Sequence, residues 1–554
     1  MLSAATQTAL QALSSASFTV LWEELGEAEK PAVLRARCRT DRALFCRVFF
    51  AEHFEKDWSP VHLEFLTTPK VSWRERSATV KRCRVAPRGS AKSTLKSFAE
   101  LAHDICYGLE VCILVFSTGF QLSEDLVKDL YRVFSHPEAA PELHQVYGPF
   151  RVSGSQTQFS VQVPGGERLG TQVAAKSFGS GATRGHRYQG RRPSKVVLDD
   201  TVNAKHVRNP DQRQESWKYL NSDILKAGTR GTLYELVGTI QHPDDLVARV
   251  AASPGWDTKT WKNLIRWPTN MALWEQVRQR WADRSNPHRL EDARQWMEAH
   301  RQELAAGAEV LWAEGRSLWE LMQAFWEAPA SFWAEDQNQP RDVDACLFDL
   351  ERVRTCRYDP GTQTITTSRG TVIPLSACTV ALWLDPSSGA DQRDYPALAV
   401  VAHHRLPQAK LGMSYVLHAE LIRRQPSAQQ EALWQLWERF AACRPKVGMD
   451  ATGTQALLGE AFTRQQEERR KAGKAWQMPI HAYTLSENKQ DRIGGLEPAL
   501  ANGWLELADD LPGEVLDQLR DFPNGAFDDG IDAIERAEWL LTRAVPHVES
   551  YKRG

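Results

Sequence analysis

The chain has 554 residues, 42% hydrophobic and 25% charged, a length beyond what one hydrophobic core serves, so two or more domains are expected. No apolar run is long enough to cross a bilayer and no charged-then-apolar leader opens the sequence, which points away from membrane and secreted classes and towards the cytoplasm. A formal charge of −2 excludes a globally basic nucleic-acid binder, so any such contact must come from local runs, of which 70–92 and 184–195 stand out.

In chain order, residues 1–55 read as an N-terminal arm with an amphipathic helical pattern from Pro31 to Phe54. Residues 56–265 alternate short apolar runs with helical stretches. CRVAP (83–87), VCILVFS (111–117), KVVLDD (195–200) and LYELVGTI (233–240) read as buried strands, and 123–134 as a helix. The alternation predicts an α/β domain with a mainly parallel sheet. In 266–345, Trp267, Trp274 and Trp281 recur every seven residues, as do Trp312, Trp319, Trp326 and Trp333. That period predicts a helical connector whose aromatic stripe packs on a neighbour. Residues 346–554 form a second α/β region. Strands at 378–385, 395–404 and 414–421 precede a helix at 427–444, a strand at 446–450, a helix from Gly453, a strand at 478–483 and a helix from Asp528. This β-β-β-α-β-α-β-α order is that of a ribonuclease-H-like sheet. The nine cysteines are scattered without a CxxC pair, so reduced, mostly buried thiols are expected rather than zinc or disulfides.

Two places carry candidate chemistry. CRVAP runs into Arg88, Gly89, Ser90, Ala91, Lys92, Ser93 and Thr94, followed by helical sequence. A phosphate-binding loop needs a strand, a small-residue turn with free backbone N–H groups, and Lys then Ser or Thr at a helix start. Lys92 would reach the outer phosphates of ATP and Ser93 would bind Mg²⁺. Ala86 and Ala91 stand where glycine is usual, and an ordinary strand–loop–helix remains the competing reading of this run alone. Downstream, Asp199 would orient Mg²⁺ and Asp200 polarise the attacking water. In the second region Asp385 and Asp450 end separate strands, while Asp528, Asp529 and Asp532 open the last helix. Two-metal phosphodiester hydrolysis needs several carboxylates around two ions, Mg²⁺ or Mn²⁺. Acids at a helix N-terminus are also good capping chemistry, but that does not account for all three places. Among the last three, Asp529 is the favoured ligand.

The runs GATRGHRYQGRRPSKVVLDD, LVGTIQHPDDLVARV, SFWAEDQNQPRD (331–342), DPSSGADQRDYPA, SENKQDRIGGLEPALANGWLEL (486–507) and FPNGAFDDGIDA resemble large terminase subunits of tailed bacteriophages. The resemblance covers about 55–545 and lies in the order of the motifs. It implies a P-loop ATPase domain followed by a ribonuclease-H-like nuclease domain, in a motor that packages and cuts DNA. By it, Arg88 is the loop arginine, Gly238 and Thr239 the coupling motif, and Arg184 or Arg187 an arginine finger. Lys489 and Arg492 would contact the DNA backbone. Double-stranded DNA, a small terminase subunit, the portal protein and a ring, expected to be of five chains, are the implied partners. The implied location is the host cytoplasm, transiently docked on the procapsid. Two readings compete: an ATP-driven helicase or translocase with a nuclease in fold only, and a non-enzymatic DNA- or capsid-binding scaffold.

Overall fold

The structure is a computed structural model. It describes residues 26, 29–166, 169–179, 183, 185–202, 207, 209–340, 347–386, 395–406, 411–422, 426–450, 456–473, 478–483 and 487–542. The chain divides into two compact units, one of 1–268, 307–325 and 329–342, the other of 269–306, 326–328 and 343–554.

In the first unit, β1 (Val80–Val85), β2 (Cys112–Ser117), β3 (Arg151–Ser155), β4 (Gln158–Gln162), β5 (Thr171–Ser177), β6 (Lys195–Asp199), β7 (Leu233–Gly238) and β8 (Asp257–Thr260) form one sheet. Its order is β3-β4-β5-β2-β6-β7-β1-β8. All pairings from β5 to β8 are parallel, and only β3 and β4 add antiparallel edges. β2 and β7 are buried at every position, as expected for strands covered on both faces. With β7 between β1 and β6, the loop after β1 and the acids ending β6 face each other across one strand.

The expected arm is in part core. Helices Lys30–Cys38 and Arg42–Phe49, separated at Asp41, which caps the second, bury Leu34, Phe45 and Phe49 against the helices over the sheet. The region expected as a helical connector, 266–345, carries helices Met271–Ala282, Arg289–Ala299 and Leu318–Glu327 and is divided between the two units. Trp274 and Trp281 lie on helix Met271–Ala282 of the second unit, and Trp326 also belongs there. Trp267 and Trp333 pack together in the first unit, where β9 (Leu264–Arg266) pairs with β10 (Glu309–Val310). The seven-residue spacing carries Trp267 to Trp274 across 268–270 and Trp312 to Trp319 across 313–317, where the chain is not helical. It therefore marks two packing surfaces rather than one helix stripe.

Beneath the helix following β1 lies a buried ion network. Lys195, fully buried, bonds Asp104 at 2.9 Å and Glu235 at 2.8 Å. Lys96 reaches Glu235 at 2.9 Å and Glu100 at 2.5 Å, and Lys70 and Arg42 close on Glu100 at 3.1 and 3.4 Å. Burial works against the charge on Lys195, but Asp104 and Glu235 hold its pKa above the ordinary value.

In the second unit, β11 (Thr355–Asp359), β12 (Thr364–Thr366), β13 (Val372–Pro374), β14 (Cys378–Asp385), β15 (Ala397–Arg405), β16 (Gly412–Leu421), β17 (Lys446–Asp450), β18 (Ile480–Tyr483) and β19 (Leu505–Ala508) form a sheet. Its order is β13-β12-β11-β19-β16-β15-β14-β17-β18. β14 to β16 form an antiparallel meander, and β17 then joins β14 in parallel. This is the ribonuclease-H-like arrangement expected. The hairpin strands β11 to β13 and the inserted β19 are additions. Helix Asp529–Thr542 lies over β14 and β15, its residues 529–537 all buried. The helices of 269–306 attach to this sheet through Trp281, whose ring is 5.5 Å from that of Trp504, and through the bond from Trp504 Nε1 to the Ala282 carbonyl.

Replacing Lys195 by Met would leave Asp104 and Glu235 buried without their shared cation. The expected loss is about 3–5 kcal/mol in urea unfolding at neutral pH. A loss below about 1 kcal/mol would show that the network contributes little.

Candidate functional sites

The loop after β1 is built on its neighbour strand. The Ala86 N–H donates to the Gly238 carbonyl at 3.0 Å, and the Thr239 hydroxyl donates to the Ala86 carbonyl at 3.0 Å. Lys92 Nζ, buried, then donates to the same Thr239 hydroxyl at 2.9 Å. The end of β7 thus holds both the start of the loop and its lysine. Gly89 and Ala91 adopt φ of +75° and +53°. The first is ordinary for glycine, whereas an alanine at +53° costs roughly 1–2 kcal/mol of backbone strain. Helix Pro60–Thr67 supports the loop from below. His62 Nδ1 accepts from the Ser59 N–H at 3.1 Å, so its Nε2–H donates to the Ser90 carbonyl at 2.8 Å. Burial lowers the His62 pKa, keeping this tautomer neutral.

Across β7, the Ser93 hydroxyl donates to Asp199 Oδ1 at 2.9 Å. Asp199 Oδ2 is buried and has no hydrogen-bond partner among the described residues. Burial, reinforced by the Asp200 charge, pushes the Asp199 pKa up to about 6. Asp200, half exposed at φ +45°, lies 3.8 Å from Lys92. A hydroxyl and a buried carboxylate with an unused oxygen, facing a lysine in an amide-lined loop, suit a Mg²⁺-bound phosphate chain.

Arg88 does not point at this centre. Its guanidinium pairs with Glu335 at 2.6 Å, and its N–H donates to the Glu335 carbonyl at 3.0 Å. Asn338, on the same segment, accepts from the Ile240 N–H at 2.9 Å and donates to the Trp261 carbonyl at 2.8 Å. Glu335, Asn338 and His62 were not singled out from the sequence; the Ser59–His62 spacing at a helix start is the one local signal that could have marked His62. Arg184 lies outside the described residues, and Arg187 is exposed in the segment before β6.

In the second unit, Asp385 and Asp450 end adjacent parallel strands in register, Leu384 opposite Met449. Asp529 and Asp532 lie on the first turn of the last helix, with Asp528 just before it. Lys489 reaches Asp528 at 2.8 Å, Asp532 at 3.3 Å and Asp529 at 3.4 Å. Burial, then Asp532, Asp529 and Asp450, drive the Asp385 pKa well above the carboxylate range, opposed by Lys489. For Lys489 burial opposes the charge, but Asp532 and Asp528 hold its pKa above the ordinary value. Among the described residues no three ligating side chains close on one point at metal spacing. The five aspartates form a charge cluster around a lysine rather than a finished ligand shell. Lys489 and Arg492 are the cations bonded to it, and Arg492 is shared with Glu535. The deficit of positive charge and the hard oxygen donors fit divalent cations. Arg492, expected beside the site, is 9% exposed and bonded to Asp532 at 2.7 Å and Glu535 at 2.6 Å.

The chain is similar to phage large terminases. The large terminase of a thermophilic bacteriophage is 10% identical, with 88% of this chain and 98% of that chain covered and a TM-score of 0.40. The ATPase domain of the large terminase of Thermus phage P74-26 is 13% identical over 47% of this chain and 96% of its own, with a TM-score of 0.27. The human cytomegalovirus terminase nuclease domain is 12% identical over 29% of this chain and 82% of its own, with a TM-score of 0.23. No family model and no curated protein sequence matches. No helix among the described residues is long and apolar enough to cross a membrane.

Two outcomes follow for the loop and its acid. Because the fold raises the Asp199 pKa from 3.8 to about 6, its charge penalises the fold above that range. The penalty vanishes below about pH 4. Asp199→Asn should therefore raise the stability of the metal-free protein by roughly 1–3 kcal/mol at pH 8 and leave it nearly unchanged near pH 3.5. Denaturant titrations at the two pH values measure the difference, and an equal shift at both would refute the assignment. Ala91→Gly should relieve the strained φ, and thermal unfolding should show a net gain of up to about 1 kcal/mol after the unfolded-state entropy of glycine is deducted. A loss of stability would mean that the loop is not strained there.

Proposed function

We propose that this chain is the large subunit of a phage terminase, using ATP hydrolysis to drive double-stranded DNA into a capsid and cutting concatemeric DNA with a metal-dependent nuclease. The observation that carries the reading is the gathering of Asp385, Asp450, Asp529 and Asp532 at the ends of β14, β17 and the last helix, downstream of an ATPase-type loop in the same chain.

In the ATPase half, the N–H groups of 89–93 and Lys92 bind the phosphates of ATP. Ser93 and Asp199 hold Mg²⁺, which neutralises phosphate charge when bound. Asp200, beside Lys92 and open to solvent, orients the attacking water. Gly238 and Thr239 are the coupling motif, the Thr239 hydroxyl touching both Lys92 and the loop carbonyl. Arg184, or Arg187, is the arginine finger. In the nuclease half, Asp385, Asp450 and Asp529 would hold the divalent ions, with Asp528 and Asp532 beside them; Mg²⁺ or Mn²⁺ bound there would supply activation of water and stabilisation of the leaving oxygen. Lys489, bonded to Asp528, Asp529 and Asp532 beside the site, would contact the DNA backbone. A small terminase subunit, a portal protein and a ring of five chains are the proposed partners, with the motor docked transiently on the procapsid in the host cytoplasm.

Plasmid cleavage with Mn²⁺ or Mg²⁺ tests the nuclease. Wild type should cut, and Asp385→Ala and Asp450→Ala should each abolish cutting. Lys92→Ala should lower ATP turnover at least about a hundredfold without affecting cleavage. An intact plasmid under every metal would remove the nuclease half of the proposal, and unchanged turnover in Lys92→Ala would remove the ATPase half.

A further inference from the structure

β1, β6 and β7 run parallel, and Val80, Lys195 and Leu233 begin them in register. The segments leading into all three strands therefore meet at one edge of the sheet. That edge is about 16 Å, five residues of strand, from the edge carrying Lys92 and Asp199. From the basic runs 70–92 and 184–195, Arg74, Arg76, Arg191 and Arg192 lie at this edge. Arg76, a buried side chain, joins the segments: it donates to both Glu110 carboxylate oxygens at 2.6 Å, to the Ser194 carbonyl at 2.8 Å and to the Gly231 carbonyl at 2.9 Å. On this base stand Arg74, Arg191, Arg192, Lys226 and Arg230, all exposed. The guanidinium carbons of Arg74 and Arg191 lie 5.0 and 4.9 Å from the Trp73 ring centroid. Arg192 donates to the Lys226 carbonyl at 3.1 Å, and the Thr79 hydroxyl to the Arg230 carbonyl at 3.0 Å. Among the described residues, Arg191, Arg192, Lys226 and Arg230 have no carboxylate at ion-pair distance. The cations of the buried network, by contrast, are all paired.

We infer that this edge of the first unit is a contact surface for the phosphate backbone of duplex DNA, separate from the nucleotide site. The inference rests on the DNA-handling function proposed above and names where the first unit meets its polymer. Cation–π contact with Trp73 holds two guanidiniums in place before binding, which reduces the side-chain entropy lost on meeting phosphates. Arginines presented from three loops on a rigid base suit a repeating polyanion better than a single phosphate group. Backbone contacts of this kind carry affinity and register without sequence preference.

The test is anisotropy of a fluorescent DNA duplex titrated with the full chain at several salt concentrations. Wild type is compared with Arg191→Gln/Arg192→Gln/Arg230→Gln and with Arg294→Gln/Arg301→Gln/Arg352→Gln, which removes the same charge from the other unit. The first variant should bind tenfold or more weakly at about 0.1 M salt, and its slope of log affinity against log salt should shrink by about 2–3. The second should behave as wild type, and both should retain wild-type ATP turnover. Unchanged DNA affinity and slope in the first variant would overturn the surface while leaving the proposed function standing. Unchanged DNA binding with weakened binding of polyglutamate would overturn it too, assigning the edge to an acidic protein. Equal weakening in both variants would overturn it as a general charge effect. Failure of wild type to bind duplex at any salt would overturn the function and the surface together.

Discussion

Lys195 is the point on which the first unit turns. Its ammonium has no access to water and is balanced by Asp104 on the helix after the loop and Glu235 on β7. Charges placed so deep are tolerated only in a fixed arrangement, because each ion is costly without its partner. The network therefore sets how the loop helix lies on β6 and β7. From that position follows the span across β7 at which Ser93 meets Asp199 and Lys92 meets Thr239. The geometry of the loop after β1 is in this sense decided underneath it, by the buried ion pairs.

The second unit solves a related problem in the opposite way. Its acids are gathered without enough cations to neutralise them, so burial and mutual repulsion raise the Asp385 pKa. Lys489 bonds three of these aspartates, while Arg492 is tied to Asp532 and Glu535. An unbalanced cluster costs stability, and proteins keep such clusters where the missing charge is supplied by something they bind. The first unit's network pairs its cations with acids; the second unit's cluster is short of positive charge.

Much of this was legible in the residues. β2, β6 and β7 are apolar runs because parallel strands are covered on both faces, and Asp199, Asp385 and Asp450 stand where such runs end. What escaped sequence reading was of two kinds. β3, β4, β8 and the hairpin strands β11 to β13 are short and largely polar, and the buried strands β5 and β19 escaped as well. The second kind is long-range pairing. Nothing local in Glu335 announces Arg88, nearly 250 residues earlier, and nothing local in Arg492 reveals that it turns inward to Glu535. The tryptophan period misled for a physical reason: a seven-residue spacing means one face only while the helix is unbroken.

The bond from His62 to the Ser90 carbonyl has a consequence for how this loop manages with alanine at position 91. A glycine-rich loop is pliable and must be ordered by the phosphates it receives. Here a neutral imidazole, fixed in one tautomer by the Ser59 amide, holds the Ser90 carbonyl of the turn from below. Pliability is then not needed, and the turn is set before any ligand arrives. Evolution of such a loop can trade glycine for a bulkier residue so long as the imidazole beneath it is kept, so the two positions should change together or not at all.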